Sequence, residues 1–288
     1  MKEGTGTARK ALWVDLASNK STEGANRKEL MSYTHPKSLE GKAVVVTGSA
    51  RGIGRGIART LARNGARLLV TDILADDLET LREDMTSHGT DVHSIAADLR
   101  EPDAAERIIE EAYRKFGAVH GLVNNAMAIK PPSPLECQTL ADFDLAISTG
   151  PRATFALMKA AYPHLVSAGG GSIVNFGSGA GAAGEPGFAS YGAAKESIRG
   201  LSRVAALEWG ADNIRVNVVL PFARTEGTDY WEQTDPEAFN AAVNAVPLKR
   251  IGDSEKDVGA LVSFLLSDDS TYLTAQSIFV AGGSGVSR

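Results

Sequence analysis

Three residues past the middle of the chain carry side chains able to move a proton at an oxygen atom: Ser178, Tyr191 and Lys195, within "FGSGAGAAGEPGFASYGAAKESIRG". Tyr191 and Lys195 are four positions apart, a spacing that puts both on one face of a helix, one turn from each other. A free phenol ionises near pH 10, too high for a base at neutral pH. An ammonium about 4 Å away, at an effective dielectric near 20, favours the phenolate by about 4 kcal/mol, roughly 3 pKa units. A tyrosine so placed can exchange a proton with an alcohol or carbonyl oxygen, and Ser178 would donate to or hold that oxygen. The plain alternative is a Tyr/Lys pair on an ordinary amphipathic helix.

A second motif lies upstream. "AVVVTGSARGIGRGIARTLARNGARLLVTD" reads as strand, glycine turn, helix and strand, with Gly48, Gly52 and Gly54 in the turn and Arg51 and Ile53 among them. Glycine allows a tight turn and close approach of the backbone to a ligand, and the N–H groups and dipole at a helix start accept a pyrophosphate. Asp72 closes the second strand at about the 20-residue distance expected of a carboxylate that receives the adenosine ribose hydroxyls. It would repel a 2′-phosphate and so favours NAD over NADP, a preference that Arg51 nearby softens.

These motifs need elements to hold them. From Lys42 onward, short runs rich in β-branched residues ("AVVVT", "ARLLVTD", "VHSIAAD", "HGLVNNA", "GSIVNF", "IRVNVVL", "QSIFVAGG") alternate with stretches of helical period. That rhythm predicts one α/β domain over 39–288, doubly wound, with a seven-stranded parallel sheet buried by helices on both faces. Phe222 to Pro247 breaks the rhythm and reads as a loop with a short helix, a substrate lid over about 222–247. Residues 1–38 are polar, either a mobile tail or an arm that docks through Leu12, Trp13, Val14 and Leu16.

Composition narrows the partners. The 288 residues are 43% hydrophobic and 23% charged, as in a soluble globular protein, and the net charge of −5 argues against nucleic acid. No run approaches the 18 to 20 apolar residues of a membrane span, and the N-terminus lacks the apolar core of a signal peptide. Cys137 is the only cysteine, compatible with a reducing compartment, and a cytoplasmic location is expected. His35, His88, His93, His120 and His164 have no metal-ligand spacing, so no catalytic metal is expected.

The pattern Thr47-Gly48-x-x-x-Gly52-x-Gly54, with Asp98-Leu99, Asn124-Asn125-Ala126, Ser178, Tyr191 and Lys195 following in order, resembles the short-chain dehydrogenase/reductase family over about Leu39 to Gly283. The resemblance implies a Rossmann-like fold and hydride exchange between a nicotinamide cofactor and a secondary alcohol or ketone. It implies that Asp98 meets the adenine amino group with Leu99 beside it, that Asn125 and Ala126 line the cofactor ribose, and that Asn124 is a clamp between strands. Lys195 would also hold the nicotinamide ribose, with Pro221 and Thr225 near the carboxamide. It further implies a homotetramer or homodimer packed through the helix after Gly150 and the helix of Tyr191.

Several positions depart from the family pattern. Met127 stands where glycine is usual and Phe222 where Pro-Gly is usual. Thr225 lies four residues past Pro221 rather than five, and Ala281 replaces an aspartate before Gly282-Gly283. Met127, Phe188, Phe222, Tyr230 and Trp231 are candidates for an apolar substrate pocket suited to a hydrophobic small molecule. Gly150-Pro151 replaces an asparagine associated with a helix kink and a water-borne proton relay beside the catalytic lysine. Three readings of it stand open: a helix broken outright that keeps the relay through a freed Ile147 carbonyl, a helix that simply starts at Pro151, or a changed reaction. Use of the same cradle for dehydration, isomerisation or imine chemistry, and a non-catalytic nucleotide-binding role, are the alternatives to alcohol–ketone redox chemistry.

Overall fold

The computed structural model describes residues 38–285; the apolar patch at 12–16 lies outside them. Seven strands form one parallel sheet in the order β3-β2-β1-β4-β5-β6-β7: β1 (Ala43–Thr47), β2 (Arg67–Asp72), β3 (Val92–Ala96), β4 (Gly121–Asn124), β5 (Gly171–Phe176), β6 (Ile214–Pro221) and β7 (Ser277–Val280). The intervening helices are α1 (Gly52–Arg63), α2 (Ala75–Ser87), α3 (Ala104–Phe116), α4 (Leu140–Ile147), α5 (Ala153–Ser167), α6 (Gly179–Ala183), α7 (Ala189–Glu208), α8 (Glu226–Thr234), α9 (Pro236–Ala245) and α10 (Ala260–Leu266). The expected sheet is thus present, and the strand order reverses between β1 and β4, where ligands of such sheets bind at the carboxyl ends of the strands.

Strands β1, β4 and β5 are buried along nearly their whole length because helices cover both faces. Their side chains divide between two cores. Val44, Val46, Val123 and Val174 pack with Ile57, Leu61 and Leu265 on one face, and Val45, Leu122 and Ile173 with Ile108, Leu157 and Leu165 on the other. The edge strands β3 and β7 are only partly buried. The 222–247 segment contains two helices rather than one. Thr225 caps α8 by accepting the Thr228 N–H (3.2 Å), Asp235 caps α9 by accepting the Ala238 N–H (3.0 Å), and Pro236 sits in the first turn of α9, where its missing N–H costs nothing. Gly282 and Gly283 turn with positive φ directly against Val246 and Pro247, where added β-carbons would collide. The replacement of the aspartate before them therefore sits in a packed structural turn.

One part-buried contact makes stability depend on pH. His120 Nδ1 accepts the Ala43 N–H at 3.0 Å at the start of β1. Burial, reinforced by Lys42 and Arg67, holds its pKa below the ordinary histidine value. The unfolded chain takes up that proton more readily, so this contribution is complete above about pH 6.5 and is lost as pH falls through the lower folded value. Thermal unfolding midpoints followed from about pH 8 down to about pH 5 should fall more steeply for the wild type than for His120→Asn, which keeps an acceptor that does not titrate.

Candidate active site

The glycine turn is set by close approach. A β-carbon on Gly54 would lie 1.9 Å from the Gly48 carbonyl oxygen, and one on Gly48 would lie 2.8 Å from Ala126 Cα, so neither position admits another residue without displacing backbone. Gly48 and Gly52 also have φ of 66° and 55°, the left-handed region glycine enters at no steric cost. The turn is tied to β2 by Asp72, whose carboxylate accepts the N–H groups of Ala50 (3.0 Å) and Leu74 (3.1 Å). It is tied to β4 by Asn125, whose Nδ2 donates to the carbonyls of Thr47 and Gly48 (3.1 Å each), and by Thr47 Oγ1, which accepts the N–H groups of Asn125 and Ala126. The Asn125 amide therefore braces the turn, while Asn124 spans β4 and β5 by donating to Asn175 at 2.8 Å. Asp98 accepts the Arg100 N–H and Nε at 2.9 Å, and Arg100 holds its carboxyl below the usual range. Leu99 and Ile53 pack against the two cores. Thr225 stands beside Gly52, its methyl 3.7 Å from where a β-carbon would be.

The crowded turn and the open start of α1, where Arg51 gives no side-chain cap, fit the phosphates of a dinucleotide. The first helical N–H, that of Gly52, instead meets the carboxylate of Glu226 at 3.1 Å.

Ser178, Tyr191 and Lys195 converge beyond the end of β5. Ser178 is buried and caps α6, accepting the Ala180 N–H at 3.2 Å. Lys195 is buried within α7, and its ammonium donates to the Phe176 carbonyl at 2.9 Å. The same nitrogen stands 5.6 Å from the centre of the Tyr191 ring. Burial lowers the Lys195 pKa to about 8. Here the electrostatic expectation needs correction. In this structure burial pushes the Tyr191 phenol above its ordinary value, the Ser178 hydroxyl pulls it partly back and Glu185 raises it. The ammonium is engaged by the Phe176 carbonyl, and desolvation is the largest influence on the phenol.

The segment around Gly150 differs from two of the three readings. The helix is neither broken outright nor begun at Pro151; α4 and α5 run on through a π-turn over Ser148–Arg152. A π-turn pairs each carbonyl with the N–H five residues on, a register in which the Ile147 carbonyl looks past Pro151 to Arg152. Thr149, which the sequence reading passed over, anchors this turn. Its hydroxyl donates to the Leu145 carbonyl (2.7 Å) and accepts the Ala128 N–H (3.0 Å), joining the helix to the loop after β4. Met127 from that loop lies against Gly150, its Sδ and Cε both 3.4 Å from where a β-carbon would be, with Ala194 at 3.6 Å. The unusual methionine thus fills the space left by the unusual glycine.

The apolar residues expected to form one pocket are dispersed. Phe188 lies 5.8 Å from Tyr191, ring to ring, and lines a cleft with Ile129, Pro131, Gln138 and Ala146. Trp231, on α8, packs edge-on against Phe239, on α9, at 5.4 Å. Tyr230 is 67% exposed on the outer face of α8. Phe222 joins β6 to β7, donating its N–H to the Val280 carbonyl at 2.9 Å. Gln138, another residue the sequence reading missed, closes the cleft by donating to the carbonyls of Ser133 (2.8 Å) and Gly187 (3.0 Å) and accepting the Ser190 N–H (3.0 Å). A lone glutamine in a Pro-rich loop carries no spacing signal. Among the described residues no group of three His, Cys, Asp or Glu side chains is placed to hold a metal ion, and no helix is long and apolar enough to cross a membrane.

Comparison with known proteins agrees with this geometry. The family model described as enoyl-(acyl carrier protein) reductase matches residues 48–285. A 12alpha-hydroxysteroid dehydrogenase of a Clostridium species is 42% identical over 254 residues, covering 86% of this chain and 98% of that protein. A 3-oxoacyl-[acyl-carrier-protein] reductase of Thermotoga maritima is 32% identical, covering 85% and 98%. The crystal structure of levodione reductase superimposes with a TM-score of 0.81 at 30% identity, covering 86% and 99%.

The packing of Met127 on Gly150 predicts a coupled pair. Gly150→Asn alone should lower the unfolding midpoint, because its side chain needs the space of the thioether. Adding Met127→Gly should restore it, with a coupling energy of at least about 0.5 kcal/mol in a double-mutant cycle. Additive losses would show that the two side chains do not share the space.

Proposed function

The chain belongs to the short-chain dehydrogenase/reductase family, and on that premise we propose that it is an NAD-dependent oxidoreductase interconverting a secondary alcohol and its ketone, with Tyr191 as acid and base. The observation that carries this reading is the convergence of Ser178, Tyr191 and Lys195 beyond the end of β5, on the edge of the sheet that also carries the glycine turn. NAD rather than NADP is supported by Asp72, a carboxylate at the end of β2 within hydrogen-bonding distance of the turn.

When bound, the dinucleotide supplies the hydride acceptor or donor at nicotinamide C4. The residues of this chain do the rest. Ser178 holds the substrate oxygen beside the phenol. Tyr191, kept protonated by burial, gives its proton to a ketone oxygen in reduction; in oxidation the phenolate is the form that takes the alcohol's proton. Lys195, still largely an ammonium at neutral pH, keeps a positive charge 5.6 Å from the ring centre and would hold the nicotinamide ribose. Its tether to the Phe176 carbonyl fixes that charge in the sheet.

The cleft beside Tyr191 has a mixed lining, apolar from Phe188, Ile129, Pro131 and Ala146 and polar from Lys130, Gln138 and Asp142, which suits an apolar body carrying polar groups. The hydroxysteroid dehydrogenase similar to this chain makes a polycyclic secondary alcohol the first class to try. Homo-oligomerisation is supported by apolar side chains left exposed on α5 and α7: Phe155, Val204 and Leu207. We also propose a small-molecule substrate and a cytoplasmic location for this protein.

Three measurements test this reading. Hydroxysteroids and cyclic ketones offered with NAD(H) and NADP(H) should change absorbance at the reduced-nicotinamide band in step with product, faster with NAD(H). Tyr191→Phe should cut turnover by about 10²- to 10⁴-fold with NADH affinity nearly unchanged; retained turnover would remove Tyr191 from the chemistry. In the reductive direction kcat/KM, which reports the free enzyme, should fall above about pH 8 as Lys195 loses its proton.

A further inference from the structure

The start of α1 is occupied by part of its own chain. Gly52 N–H donates to Glu226 Oε1 at 3.1 Å, and Oε2 lies 3.0 Å from where a β-carbon on Gly52 would stand. The contact spans 174 positions, so it is not a local turn. It joins the first residue of the lid helix α8 to the first residue of α1. Arg51, the residue that would ordinarily cap α1, makes no side-chain cap. The carboxylate therefore caps α1 from across the fold. It also lies in the first turn of its own helix, so it is attracted by the positive ends of both α1 and α8.

A dinucleotide seated on the glycine turn places its pyrophosphate at this same helix start. Two anions cannot share one N–H at hydrogen-bonding distance, and like charges in contact repel. We propose that Glu226 is an affinity-determining residue of the cofactor site: it occupies the phosphate position at the start of α1 and must be displaced for a dinucleotide to bind, so that loading the cofactor frees α8 from α1. The inference rests on the dinucleotide reading of the turn. Glu226 is exposed to solvent, so the plug is weak and displaceable rather than a permanent block. Because it sits on the lid, release of the carboxylate releases the helix that follows Thr225, and the cofactor and lid positions become linked.

The test compares NADH dissociation constants, from nicotinamide fluorescence, for the wild type, Glu226→Gln and Glu226→Ala. Glu237→Gln, an exposed position at the start of α9, controls for the change in net charge. Inorganic pyrophosphate, competing against NADH, probes the phosphate position alone. Removing the carboxylate should tighten NADH and pyrophosphate by about three- to tenfold, and Glu237→Gln should leave both unchanged. In the wild type, saturating NADH should also speed amide hydrogen exchange over 225–230. Unchanged or weaker binding in both Glu226 variants, while the wild type binds NADH, would overturn the plug and leave the dinucleotide site standing. Failure of every form to bind NADH or NADPH would overturn the dinucleotide reading and the plug with it.

Discussion

A lysine ammonium taken out of water must be compensated or it deprotonates, and Lys195 is fixed by that demand. It reaches the Phe176 carbonyl at the end of β5, a group available because the strand stops there and the chain turns away into α6. Burial still draws its pKa down to about 8, so the charge is present at neutral pH with little to spare. The position of Tyr191 one turn earlier follows from helix geometry, and that of Ser178 from its cap on α6. The three side chains proposed to handle the proton are thus referenced to one carbonyl of the central sheet. The same burial raises the phenol, which leaves it protonated and suited to act first as an acid.

Around that set, backbone crowding does the positioning. Gly54 and Gly48 approach too closely for any other residue at either place, and Asp72, Thr47 and Asn125 hold the turn against β2 and β4. The π-turn beside α7 uses a different device. Thr149 anchors it to the loop after β4, and Met127 from that loop fills the space beside Gly150. Two departures from the family pattern that look independent in the sequence prove to be one packing arrangement, because what touches is set by the fold and not by separation along the chain.

Much of this was legible in the sequence because it rests on local rules. Alternation of β-branched runs with helical stretches predicts the seven strands, glycines between strand and helix predict the crowded turn, and the four-residue spacing predicts Tyr191 and Lys195 on one helix. What depends on distance in space was not legible. The direction of the Lys195 ammonium is decided by the Phe176 carbonyl 19 positions away, and the sign of the Tyr191 shift by how deeply the fold buries the phenol. The cleft is closed by Gln138, whose partners come from two separate loops. The aromatic residues of the lid read as one pocket by composition, yet Trp231 pairs with Phe239 while Tyr230 faces solvent. Proline inside a helical pattern signals a break by local rules, and only the wider turn shows how the helix continues past it.

One phenol, buried beside a tethered ammonium, is held protonated by desolvation, and the positive charge of an oxidised nicotinamide bound beside it would favour the phenolate. An ultraviolet difference titration of the wild type against Tyr191→Phe isolates that phenol, first alone and then with saturating NAD. The account predicts ionisation above the ordinary tyrosine value in the free protein and a clear downward shift, toward neutral pH, once the oxidised dinucleotide is bound. An ionisation that stays in place when NAD binds would contradict it.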